Sequence, residues 1–182
     1  MPTDAIETVG SGSNLELKAR IADLDSARER VRALGAERQG VEHQVDQYYQ
    51  VSSGRMKLRR SSVDGAHLIV YLRPNDVSAR VSTFHRLPVD RPEELADTLV
   101  AMFEPGPTVD KEREVWWWRD VRIHLDRVAG LGTFVEFEAR LDTIGDQDGA
   151  GRLIDQLTQQ LGVESNDLIS DSYGEMTCQQ KA

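Results

Sequence analysis

Charged residues recur at every second position in a series of short strand-like runs, with apolar residues between them. Asn14-Leu15-Glu16-Leu17-Lys18-Ala19-Arg20 opens the series. Arg55-Met56-Lys57-Leu58-Arg59, Lys111-Glu112-Arg113, Arg122-Ile123-His124-Leu125-Asp126 and Glu136-Phe137-Glu138 follow. Residues i and i+2 share one face of a β-strand, so each run sets charge on one side and, in most of them, hydrocarbon on the other. One face of the resulting sheet is built almost entirely of ions.

Two readings are open. An antiparallel sheet with one face on a core and the other in water shows charges outward. Such a face normally mixes Thr, Ser and Gln among its charges, whereas here basic pairs are segregated onto some strands and an acidic pair onto another. If the strands curl so that the charged face turns inward, a tunnel forms with many cations and a few carboxylates on its wall. That lining suits a polyphosphate with a divalent metal.

The chain has 182 residues, enough for one compact unit with a proper core, and no internal repeat or long linker divides it. Residues 1–13 are small and polar, lack the basic flank and apolar block of a signal peptide, and read as a disordered leader. No apolar run approaches the ~18 residues of a membrane span. The single cysteine, Cys178, has no internal disulfide partner and belongs to no cysteine metal cluster. The expectation is a cytoplasmic protein that engages no membrane. A net charge of −9 argues against a nucleic-acid binder with a broad basic surface. It leaves room for a buried basic site, since screening over about 8 Å separates the exterior from a recessed pocket.

Helical spacing appears three times. Asp25 or Ser26 can cap a helix carrying Ala27, Val31 and Leu34 and stopped by Gly35. Pro92-Glu93-Glu94, behind Asp90 or Arg91, opens a second helix with Leu95, Leu99, Met102 and Phe103 on one stripe. Gly149 to Leu161 forms a third. Eight strands are expected near 14–21, 44–51, 55–61, 67–73, 80–88, 109–117, 121–128 and 133–141, with Ser52-Ser53-Gly54, Val63-Asp64-Gly65, Arg119-Asp120 and Ala129-Gly130-Leu131-Gly132 as turns.

In order along the chain, these runs resemble the CYTH, or triphosphate tunnel metalloenzyme, superfamily. Asn14-Leu15-Glu16-Leu17-Lys18 is similar to its opening E-x-E-x-K signature. Gln44 to Tyr49, Lys57-Leu58-Arg59, Tyr71-Leu72-Arg73, Lys111-Glu112-Arg113, Arg122 to Asp126 and Gly130 to Glu138 follow in the family's sequence. The class IV adenylyl cyclase-like branch is most similar, and Ser170-Asp171-Ser172-Tyr173 fits it. The likeness covers about residues 14 to 175, which suggests a single domain over 14–177 and a tail over 178–182.

The resemblance implies an α+β fold, an eight-stranded antiparallel β-barrel with helices packed outside. It implies that Lys18, Lys57, Arg59, Arg73, Lys111, Arg113 and Arg122 bind phosphate oxygens, and that Glu16, Asp126, Glu136 and Glu138 hold Mg2+ or Mn2+. Lys111, Arg113 and Glu136 are the implied catalytic residues. The chemistry of the side chains agrees: guanidinium matches phosphate, and carboxylate oxygens suit these ions. The implied partner is a triphosphate-bearing small molecule, and the branch suggests a homodimer.

Asn14 departs from the pattern, where the family has a glutamate. An amide brings no charge and accepts no proton, so three functions stay open: cyclisation of ATP to cyclic AMP and pyrophosphate, which the branch favours; hydrolysis of thiamine triphosphate or tripolyphosphate; and binding without turnover. His124 reads either as a proton donor or as a hydrogen-bonded wall residue. Trp117, with the parity of Lys111 and Arg113, reads as a base-stacking ring or as packing at a hairpin end. His43, His67 and His85 show no metal spacing among themselves.

Overall fold

The computed structural model describes residues 10–181. The alternating runs become eight strands: β1 (Gly10–Arg20), β2 (Glu37–Tyr49), β3 (Arg55–Ser61), β4 (Gly65–Leu72), β5 (Arg80–Pro88), β6 (Pro105–Trp118), β7 (Val121–Val128) and β8 (Gly132–Arg140). They close into an antiparallel barrel in the order β1-β5-β4-β3-β2-β6-β7-β8. The helices α1 (Leu24–Ala33), α2 (Pro92–Met102), α3 (Leu141–Ile144), α4 (Gln147–Leu161) and α5 (Tyr173–Lys181) surround it. This is the α+β architecture expected from the sequence.

The inward turn of the charged face is decided by what the other face buries. Leu15, Leu17 and Ala19 of β1, Trp116 and Trp118 of β6, Ile123 and Leu125 of β7, and Val135 and Phe137 of β8 pack outward against α1 and α4 in one apolar cluster. Met56 and Leu58 of β3 meet Leu99 of α2 in another. With helices on the apolar side, the ionic residues have only the barrel interior to occupy. A third cluster, Tyr48, Val109, Val128, Phe134, Tyr173 and Met176, lies where α5 seats against the barrel interior, so apolar packing seals one end.

Local differences from expectation have local causes. Asp23, rather than Asp25 or Ser26, caps α1 by accepting the Asp25 N–H at 2.9 Å, which lets Leu24 enter the core. Asp146 caps α4, so that helix begins at Gln147. β2 starts at Glu37, not near Gln44. Its first residues lie mostly in solvent and pair with β6 across an irregularity at Gly40, and its inner face is fully buried only from Gln44 onward. Gly10 to Ser13 were expected in a leader but pair with Arg86 to Thr83 of β5. Residues 1–9 and Ala182 lie outside the described residues. Helix α5 runs through Cys178 to Lys181, where a tail was expected; only its first turns bury side chains, Tyr173 and Met176.

Candidate active site in the barrel

The period of two places Glu16, Lys18, Lys57, Arg59, Arg73, Lys111, Arg113, Arg122, Glu136 and Glu138 on the wall of one cavity with about 810 Å³ of space, part of it open to solvent. Asp126 stands behind Arg113, fully buried. The wall has two unlike sides.

On one side, three cations converge on a single carboxylate. Asp46 Oδ2 accepts from Lys57 Nζ at 2.9 Å, Lys111 Nζ at 2.8 Å and Arg59 Nη2 at 2.8 Å, and Asp46 Oδ1 accepts from Arg59 Nε at 2.7 Å. Burial alone raises the pKa of Asp46, but Arg59, Lys111 and Lys57 outweigh it and hold the carboxyl well below its ordinary range. The lysines share an overcommitted partner. Burial pushes Lys111 down to about 7 and Lys57 down to about 8, with neighbouring cations adding to the shift and Asp46 only partly offsetting it.

On the other side, carboxylates and cations alternate. Arg113 forks onto Asp126, Nε to Oδ1 at 2.7 Å and Nη2 to Oδ2 at 2.6 Å, and Nη2 also donates to Glu136 Oε2 at 2.9 Å. The Tyr173 hydroxyl donates to Asp126 Oδ2 at 2.7 Å. Lys18 lies 3.6 Å from Glu136 and 4.1 Å from the centre of the Tyr173 ring. Burial raises Glu136, yet Lys18, then His124 and Arg113, carry it well below the usual carboxylate range. Glu16 goes the other way. Burial, then Glu138 and Glu136, raise it to about 7 against the pull of Arg73 at 3.6 Å.

The donor set fits a divalent ion best at Glu136, Glu138 and His124, whose ligand atoms all lie within 4.8 Å of one another. Of the expected ligands, Glu16 neighbours this trio, while the oxygens of Asp126 are engaged by Arg113 and Tyr173. His124 is buried in the wall beside Glu136 and Glu138, and its Nδ1 has no hydrogen-bond partner within 3.5 Å among the described residues. Asn14 lies between Ser82 of β5 and Arg140 of β8 in register, so no carboxylate stands at that level of β1 or its two neighbours.

The apolar seal at α5 fixes the polarity of the cavity. Lys111 pairs in register with Val128 of the sealed cluster, so it sits deep, whereas Arg122 pairs with Trp117 toward the other end. Trp117 is half-buried beneath the Arg122 guanidinium, 5.0 Å from the ring centre, while Trp116 and Trp118 belong to the outer core. Phe84 sits close over Gly12 of β1; a Cβ there would fall 3.1 Å from the tip of the ring.

Three residues given no role from the sequence take part. Asp46 anchors the basic side. Tyr173 completes Asp126. Arg80 is 3% exposed, beside Arg73 and Glu16, with Nε and Nη2 free of protein partners. Asp46 and Arg80 stand out only once their register partners, Arg59 and Glu16, are known.

Comparison with known proteins agrees with this geometry. The CYTH domain family model matches residues 13–173, and the chain belongs to the CYTH family. A Methanocaldococcus jannaschii protein named "putative adenylate cyclase" is 23% identical over 169 residues, covering 89% of this chain and 97% of its own. The Pyrococcus horikoshii protein PH1012 has the same fold, with a TM-score of 0.80, 20% identity, and coverage of 89% of this chain and 98% of that one. A Hippeastrum protein described as a "putative adenylyl cyclase" with a dominant triphosphatase activity aligns with a TM-score of 0.62 and 13% identity, covering 93% of this chain and 95% of its own. No helix among the described residues is long and apolar enough to cross a membrane.

Proposed function

We propose that this protein is a metal-dependent enzyme that takes an organic triphosphate into the barrel terminal phosphate first and hydrolyses the terminal phosphoryl group. The observation that carries the reading is the convergence of Lys57, Arg59 and Lys111 on Asp46 alone. With Arg59 charged and Lys57 brought down only to about 8, two cations and the Lys111 amine share one anion, which leaves positive charge and donors for phosphate oxygens. Beside Glu16, N–H groups of Arg73 and Arg80 that lack a partner among the described residues offer further donors. Lys18, Arg113 and Arg122 extend the cradle along the other wall.

Depth supports hydrolysis over cyclisation. With one end sealed by α5, the charged tail of the substrate goes inward and its organic group stays at the mouth. Lys111 then lies near the terminal phosphorus. A lysine brought down to about 7 is neutral in a large fraction of molecules at physiological pH and can accept a proton. The proton passes from water to Lys111 Nζ as the water oxygen attacks phosphorus, and the bridging oxygen departs with the diphosphate. Arg59 and Arg113 stabilise charge on the phosphate oxygens, and Asp126 positions Arg113. A divalent ion at the carboxylates supplies further charge neutralisation when bound.

Cyclisation of ATP is the second reading, favoured by Phe84, Trp117 and Arg122, which offer stacking and charge to a base and ribose at the mouth. Incubating the protein with ATP, thiamine triphosphate and tripolyphosphate in Mg2+ and in Mn2+, and resolving products by chromatography, separates the cases. Orthophosphate release is expected. Cyclic AMP with pyrophosphate would replace hydrolysis by the cyclase, and binding without product would make the barrel a triphosphate carrier.

A further inference from the structure

Building on the functional reading above, we propose that His124, Glu136 and Glu138 form a mixed nitrogen and oxygen site for a divalent transition ion such as Mn2+ or Co2+, in preference to Mg2+. His124 on β7 and Glu136 on β8 are directly opposed in register, and Glu138 is the next residue on the same face of β8. The three side chains therefore stand on two paired strands, where backbone hydrogen bonds hold them in place. His124 Nδ1 lies 3.8 Å from Glu136 Oε2 and 3.7 Å from Glu138 Oε1. Those separations are too long for hydrogen bonds and suit ligands arranged around an ion.

His124 is the second observation beside the carboxylates. It is 2% exposed, and its Nδ1 has no protein partner. A buried ring nitrogen without a hydrogen bond costs free energy unless something fills the gap. Glu138 turns one oxygen to that gap, while Glu136 Oε2, the oxygen nearest His124, is shared with Arg113. Arg122 approaches Glu138 through Oε2 at 3.4 Å, so Oε1 faces His124. Arg113 donates to Glu136 Oε2 but keeps both oxygens of Asp126 if Glu136 turns to an ion. Imidazole nitrogen favours first-row transition ions, whereas Mg2+ favours an all-oxygen octahedron with retained water.

Metal-stripped protein titrated by calorimetry tests this, with Mn2+ and Mg2+ in separate runs and no substrate present. Mn2+ is expected to bind about tenfold or more tighter than Mg2+, and His124→Gln is expected to remove that preference. An electron spin-echo spectrum of the Mn2+-loaded parent is expected to show histidine nitrogen modulation, and needs no variant. Absence of that modulation, or an unchanged ratio of Mn2+ to Mg2+ affinity in a folded His124→Gln, overturns the site. Thermal melts with tripolyphosphate in chelator test the functional reading separately. Nitrogen modulation without any triphosphate shift keeps this site and rejects that reading; triphosphate binding without modulation does the reverse.

Discussion

The two sides of the barrel wall solve the problem of buried charge in opposite ways. Around β2, β3 and β6, one carboxylate serves three cations, and both lysines are depressed toward neutrality. Around β1, β7 and β8, four carboxylates are interleaved with Lys18, Arg113 and Arg122, and the arginine–carboxylate fork is saturated. Buried ion pairs gain little net stability because desolvation offsets attraction. An arrangement short of partners on one side and crowded with carboxylates on the other is therefore better explained by ligands than by folding. Phosphate relieves the first side and metal the second.

The sharpest way to break that comparison is to remove the shared anion. Asp46→Asn leaves three buried cations without a counter-charge, and is expected to cost about 3–5 kcal/mol in the free protein. Tripolyphosphate should restore much of the loss, because it supplies the missing negative charge. Thermal melts with and without tripolyphosphate check both parts. Equal ligand-induced shifts in parent and variant would mean that phosphate does not sit where Asp46 holds the cations.

Lys111→Met probes the same side through chemistry. It is expected to lower kcat by about 10²–10⁴ as the proton acceptor is lost. In the parent, kcat/KM should rise with pH through about 7, since the free enzyme's Lys111 must be neutral to act, and this limb should vanish in the variant. A pH profile that keeps the limb in Lys111→Met assigns it to another group.

On the opposite side, Asn14→Glu adds the carboxylate that the CYTH pattern has there. Turnover and metal affinity should each rise about tenfold, equivalent to about 1.4 kcal/mol, if the amide at Asn14 limits the metal. Calorimetry with Mg2+ alone reads the affinity without relying on activity. An unchanged affinity in a folded variant would show that β1 plays no part in holding the ion.

Most of this contrast was legible in the sequence because strand parity is rigid. Once Lys57 and Arg59 share a face, Met56 and Leu58 must take the other, and the barrel follows from burying the latter. Asp46 was harder. A lone acid in a strand that is polar over much of its length carries no alternation, and its role appears only when β3 and β6 bring their cations from both sides. Arg80 stayed hidden for a related reason, as Arg80-Val81-Ser82 lacks a second charge at i+2. Helix α5 was illegible because only Tyr173 and Met176 bury, too few to set a helical stripe. The one early sign of it was Tyr173 at the end of the matching motif.

Tyr173 gives the smallest and most discriminating effect. Its hydroxyl is one of three donors on Asp126, and burial followed by the Asp126 charge holds its pKa well above the ordinary value, so it stays a donor throughout the accessible pH range. Tyr173→Phe deletes that bond while keeping the ring against Phe134, 5.0 Å between centres, and beneath Lys18. Arg113 still forks onto Asp126, so the carboxylate remains paired. The expected cost is about 1–2 kcal/mol, a fall in melting temperature of about 2–8 °C for a chain of this size. Tripolyphosphate affinity should be nearly unchanged, because no cation is released. A loss as large as that of Asp46→Asn would mean that the saturated side is as short of partners as the basic side, and the contrast between them would fail.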